Sequence, residues 1–166
     1  MADASTRVHH RVMPTSTDQF AILLPLAVGI SVILCTILIH SLPLFATIHL
    51  VRREMRLGWA GPSLGHDLVI VVVIIMIALA AHLIEIALWA GVFVICGEFT
   101  AFGPAFDHSA VNYTTLGYGN VVMTPSWRLL GPLEAADGML MFGVTTAMIF
   151  AVIQRFIRSR FPDLTN

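Results

Sequence analysis

Two glycines set two residues apart in Thr114-Thr115-Leu116-Gly117-Tyr118-Gly119-Asn120 carry the most specific chemistry in this chain. Successive backbone carbonyls point the same way only where the backbone alternates right- and left-handed conformations, and ordinary residues resist the left-handed ones. Gly117 and Gly119 remove that resistance at alternate positions. A stack of carbonyls with the Thr115 hydroxyl beneath it is the kind of oxygen cage that replaces the water shed by a bare cation. The chemistry is coordination by the main chain. Nucleophilic triads, phosphate loops and zinc-ligand spacing are missing from the sequence, so no enzyme is expected.

A second constellation is His82, Glu85 and Trp89, which fall on one stripe of a helix by the three-and-four spacing. Ionisable groups inside an apolar helix are costly, which leaves two readings. His82 and Glu85 form a proton-sensing pair with coupled titrations, or they are a mutually satisfied structural pair between helices. His40 and His82 as axial ligands to a metal or haem are disfavoured, because neither a paired set of histidines nor an attachment motif is present. His9 and His10 read as tail residues.

These groups need a membrane to work in. The chain is 57% hydrophobic and 11% charged, with a mean hydropathy of +0.86, too little polar surface for a soluble particle. Apolar runs extend from Phe20 to about Leu42, from Leu68 to Cys96 and from Leu133 to Ile153, each long enough to cross a bilayer at roughly 20 residues per span. The first is longer than the roughly 7 to 15 apolar residues of a secretory signal, so it reads as a mature helix, bent at Pro25. Arg52, Arg53 and Arg56 lie between the first two spans, and Arg155, Arg158 and Arg160 follow the third; both segments therefore face the cytoplasm and the glycine-rich loop faces outward. Arg7 and Arg11 oppose this slightly. The first span lacks the arginine repeat of a voltage sensor. A net charge of −1 gives no reason to expect nucleic acid. Cys35 and Cys96 fall toward opposite faces and read as packing residues, with no disulfide.

Between the second span and the glycines, Pro104 to Tyr113 opens with proline at a favoured first helical position and carries Asp107 in its first turns. With that short helix ahead of it and apolar spans on both sides, Thr115-Leu116-Gly117-Tyr118-Gly119 resembles the selectivity filter of the potassium-channel pore family. The run from Asn112 to Gly119 followed by Trp127-Arg128-Leu129-Leu130-Gly131-Pro132-Leu133-Glu134 is similar to a bacterial subgroup with three spans. The resemblance covers roughly residues 68–156. It implies an all-α membrane protein: three transmembrane helices per chain, a re-entrant pore helix and a filter loop, assembled as a homotetramer in the lipid bilayer. The corresponding organisation is a polar tail at 1–19, an additional transmembrane helix at 20–50, a cytoplasmic linker at 51–67, a pore module at 68–156 and a cytoplasmic tail at 157–166. Within the module lie an outer helix at 68–96, a pore helix at 104–114, the filter at 115–120 and an inner helix at 132–155.

What the resemblance implies for function is passive potassium conduction at a fourfold axis, with potassium ions held by Thr115, Leu116, Gly117 and Tyr118, no other cofactor, and a cell-membrane location in a bacterial inner membrane. The sequence also departs from the best-known pattern. Asn120 replaces the aspartate after the filter, Leu116 replaces a valine, and the bracing positions behind the filter are Asp107 and Val111. Asp107 and Asn120 are expected to bond across that gap, and His108 either meets a neighbouring Tyr118 or sits solvated on the rim. Two alternatives stand beside the selective channel: a weakly selective cation channel, and a non-conducting structural or regulatory subunit.

In the third span, Gly138 and Gly143 are candidate gating hinges or small packing residues. Glu134 and Asp137 read as first-turn acids complementing the helix dipole, with Glu134 in reach of Arg128. One of Thr145 and Thr146 should face protein, since adjacent helical residues diverge by about 100 degrees.

Overall fold

The computed structural model describes residues 16–57, 63–118 and 121–160. They form four helices: α1 (Ser16–Arg56), α2 (Leu64–Ile95), α3 (Phe102–Tyr113) and α4 (Leu130–Arg160). No strand occurs among the described residues. Three of the helices, over Ile22–Arg56, Leu64–Ile95 and Leu130–Arg160, are long and apolar enough to cross a membrane. The protein is a multi-pass membrane protein.

α1 is longer than its apolar run. It continues through Arg52, Arg53 and Arg56, where the sequence reads as linker, because arginine is a good helix former and nothing between Leu42 and Arg56 except Pro43 opposes the turn. Pro25 and Pro43 both lie within an unbroken α1, and both are buried. Each removes only one main-chain hydrogen bond. α2 begins at Leu64, earlier than its apolar run. Its 32 residues span about 48 Å at ~1.5 Å per residue, beyond a hydrocarbon layer of roughly 30 Å, which favours tilt.

α2 packs against all three other helices, and α4 likewise; α1 and α3 do not pack on one another. α1 therefore lies on its own chain's α2 and α4. At the arginine-rich end, Glu54 of α1 meets His66 of α2 at 3.0 Å, Asp67 of α2 meets Arg160 of α4 at 3.7 Å, and Arg155 Nε donates to Met55 Sδ at 3.1 Å. Both arginine clusters thus share one end of the bundle, as the charge rule requires of three spans.

Two apolar clusters fill the interior. One gathers Val32, Ile86, Trp89, Phe93, Tyr113, Leu130 and Met141 toward α3. The other gathers Ile70, Ile74, Ala78, Met148, Val152 and Phe156 toward the arginine end. His40, His82, Glu85 and Thr145 are buried at chain positions between the two. A buried polar layer of this kind is tolerated only when every group finds a partner.

Candidate functional site

α3 ends where the glycine-rich loop begins, and its last carbonyls hold the loop. Thr114 N–H donates to Ala110 O at 3.1 Å, Thr115 N–H to Asn112 O at 2.8 Å, and Leu116 N–H to Val111 O at 3.0 Å. The first residues of the loop thus spend their donors on the end of the short helix, as helix C-termini require. Their acceptors stay free: among the described residues, no backbone hydrogen bond is accepted by the carbonyls of Thr115, Leu116, Gly117 or Tyr118.

The backbone alternates as the carbonyl argument requires. Thr115 has φ 58 and Gly117 has φ 69, with Leu116 between them on the ordinary side. The left-handed threonine is a position that reasoning from glycines alone does not reach. Such a conformation costs a β-branched residue of order 1–3 kcal/mol, and persists only where the surroundings enforce it. Here the hydrogen bonds of Thr115 and Leu116 to α3 do so. Leu116 is 56% and Tyr118 73% exposed, a large apolar exposure for residues beside a helix that buries Ala105, Ser109 and Tyr113. Gly119 and Asn120 lie outside the described residues, so the Asp107 to Asn120 bond does too. Asp107 is exposed and lines one concavity with His108, Val111 and Tyr118.

His108 is placed within its own chain. Its ring lies 5.5 Å from that of Phe93 and 5.0 Å from that of Phe99, and Asn112 Nδ2 donates to His108 Nε2 at 2.9 Å. An amide nitrogen only donates, so Nε2 carries no proton. Burial holds the His108 pKa below its ordinary value, partly offset by the charge of Glu98.

Several supports around the loop come from residues whose roles the sequence does not display. Glu98 accepts from Thr124 N–H at 2.8 Å and from the Thr124 hydroxyl, clamping the segment that follows the loop to the turn that follows α2. Glu134 is fully buried and bonds to Ser109, whose hydroxyl also reaches Ile86 O at 2.8 Å. Asp137, also fully buried, accepts from Trp89 Nε1–H at 2.9 Å and meets Thr36 Oγ1 at 2.9 Å. The reading of Glu134 and Asp137 as first-turn acids serving the helix dipole is therefore corrected. α4 starts at Leu130, two residues ahead of Pro132, and both acids turn inward to hold α3, α2 and α1.

His82, Glu85 and Trp89 share a buried face, as their spacing predicts. His82 Nδ1 lies 3.1 Å from Tyr113 Oη and His82 Nε2 3.0 Å from Thr145 Oγ1. Thr145 Oγ1 lies 3.1 Å from His40 Nε2, His40 Nδ1 lies 2.9 Å from Glu85 Oε1, and the Tyr113 hydroxyl donates to Glu85 Oε2. His40, His82 and Glu85 bring potential ligand atoms within 4.8 Å of one another. Each of these three residues is hydrogen-bonded to another of the set or to Tyr113 or Thr145. Thr145 is the threonine that faces protein; Thr146 is exposed and turns its hydroxyl back to Phe142 O.

The two candidate hinges differ. A Cβ on Gly138 would lie 2.0 Å from Tyr113 O, whereas one on Gly143 would meet nothing within 4 Å. Gly138 is the point where α4 touches the end of α3. Cys35 and Cys96 are both free thiols, Cys35 exposed.

A family model described as ion channel matches residues 68–155, more than half of the chain, covering α2, α3, the glycine-rich loop and most of α4. No curated protein and no solved structure gives a significant match. Apolar α2, short α3 with the loop of free carbonyls that follows it, and most of α4 coincide with the matched span: the chain belongs to the ion-channel family.

Proposed function

We propose that the protein is a potassium-selective channel, a homotetramer in which potassium passes electrodiffusively between carbonyls of Thr115, Leu116, Gly117 and Tyr118, continued by Gly119. The observation that carries this reading is the left-handed alternation at Thr115 and Gly117 together with four carbonyls that accept no backbone bond. One chain supplies one strand of oxygens, and a closed cage needs several chains around an axis. Exposed Leu116 and Tyr118 supply apolar surface for those neighbours to cover. No catalysis and no resident cofactor is involved; potassium is the permeant ligand.

Around this core, Asp107, His108 and Asn120 support the filter, and Gly143 is the hinge of the inner helix, with Gly138 held by its contact to α3. The His82 and Glu85 pair senses pH. The filter loop faces outward and the arginine clusters face the cytoplasm of a bacterial inner membrane.

The test is the reversal potential of purified protein in planar bilayers with potassium on one side and sodium on the other. Gly117→Ala serves as the control, because an L-residue in the left-handed region costs roughly 1–2 kcal/mol. Reversal near the potassium limit, lost in the control, is expected. Reversal near zero with control-sensitive current identifies a weakly selective cation pore, and silence in a folded tetramer identifies a non-conducting subunit.

A further inference from the structure

The five bonds among Glu85, Tyr113, His82, Thr145 and His40 close on themselves. Running from Glu85 Oε2 to Tyr113 Oη, Tyr113 Oη to His82 Nδ1, His82 Nε2 to Thr145 Oγ1, Thr145 Oγ1 to His40 Nε2 and His40 Nδ1 to Glu85 Oε1, they form a ring with one member or more on each helix. Glu85 and Tyr113 are fully buried, and His40 and His82 are only 4% exposed, so water does not complete the ring. Its hydrogen inventory is fixed by chemistry. Five bonds need five protons; the tyrosine hydroxyl, the threonine hydroxyl and two neutral imidazoles bring four. The fifth belongs to the His40–Glu85 pair, and the ring is then complete and without net charge in either sense of rotation.

Tyr113 is the last residue of α3, two positions ahead of Thr115. Its hydroxyl is held in the ring while its carbonyl rests against Gly138, so side chain and backbone are both fixed. We propose that His40 of α1, with Glu85 and Thr145, is a positioning residue for the ion path: through the ring it sets where α3 ends and hence where the carbonyls of residues 115–118 stand. This assigns the additional helix a part in selectivity, and it rests on the reading of those carbonyls as the path. The matched family span begins at residue 68 and does not include His40.

Proton counting supplies the test. Glu85→Gln brings its own NH₂ and carbonyl, which complete the ring in either sense with neutral histidines. Glu85→Leu and His40→Leu break it. Thr145→Val removes one hydroxyl at nearly constant volume, and Thr145→Ser restores it, which keeps the test available where a leucine variant does not fold. All are assayed as full-length protein in bilayers for reversal potential, and in detergent for amide hydrogen exchange at Thr115, Leu116 and Gly117. We expect Glu85→Gln and Thr145→Ser to match the unmodified protein. Glu85→Leu, His40→Leu and Thr145→Val should lower the potassium-to-sodium permeability ratio about tenfold, the scale of one buried hydrogen bond, and speed exchange at the three amides. Unchanged exchange and reversal in the breaking variants overturns the proposal, as does a Glu85→Gln variant that behaves like Glu85→Leu. If the unmodified protein is unselective or silent, the filter reading fails instead, and the exchange arm still decides whether the ring positions the loop.

Discussion

His40 of α1 and Tyr113 of α3 meet on the two oxygens of a single carboxylate, Glu85, although their helices do not pack against each other. The additional helix and the end of α3 are therefore coupled by two routes, directly through Glu85 of α2 and the longer way through Thr145 of α4 and His82 of α2. A buried carboxylate with two donors is stable; one left with a single donor incurs the cost of an unsatisfied group, about 1–3 kcal/mol.

The pH response of the ring follows from its proton count. Groups facing Glu85 are His40 from α1, His82 from α2 and Tyr113 from α3, with Asp137 of α4 nearby. Loss of the fifth proton leaves His40 Nδ1 and Glu85 Oε1 with lone pairs opposed, so conductance should respond to pH. A His82→Gln, Glu85→Gln double variant should flatten that response. An unaltered profile in the double variant removes the sensor from consideration.

Gly138 and Gly143 should separate cleanly. Gly138→Ala forces a methyl into the Tyr113 carbonyl and should lower the stability of the fold by about 3 kcal/mol or more, beyond the usual overpacking range of roughly 1–3. Gly143→Ala meets nothing and gains roughly 1 kcal/mol of helix propensity, while its open probability should fall if this residue is the hinge. Thermal melting and single-channel recording read the two effects independently.

Trp89→Phe keeps the ring in the core but withdraws the donor to Asp137 Oδ2. The expected loss is about 1–3 kcal/mol. Since Thr36 meets the other oxygen, Thr36→Val should be more costly in the unmodified protein than in Trp89→Phe, and a double-mutant cycle on melting midpoints measures the difference.

His108 supplies an acid limb outside the spans. Its pKa is lowered by burial, so the unfolded chain takes up a proton more readily than the folded one. Stability contributed by the neutral ring is complete above the ordinary value of about 6.5 and is lost as pH falls through the folded value. Protonation also sets Nε2–H against the Asn112 amide donor. The melting midpoint should fall between about pH 7 and pH 5, and fall less in His108→Gln.

Local signals made much of this architecture legible. Three spans, a short helix around Pro104, which starts two residues earlier at Phe102, and the loop at Gly117 are written in runs of neighbouring residues, and the stripe of His82, Glu85 and Trp89 follows from helical spacing alone. What was not legible is what other helices bring. Tyr113 sits 28 positions from Glu85 and Thr145 lies 105 from His40, and no spacing within one element announces such a meeting. Glu134 and Asp137 misled for a related reason: an acid early in a helix has an adequate local role, and only the arrival of Ser109, Trp89 and Thr36 shows that both are interior. Thr115 escaped because its left-handed turn is imposed by α3, against its own preference.

Closure of the ring within one chain also bears on biogenesis. The ring is closed by the chain's own α1, so a nascent chain leaving the insertion machinery carries the layer of His40, His82, Glu85, Tyr113 and Thr145 already complete. In the proposed tetramer, subunits would then meet with this ring already closed, and exchange of the first helix between them would have to open both ring bonds of His40 at once.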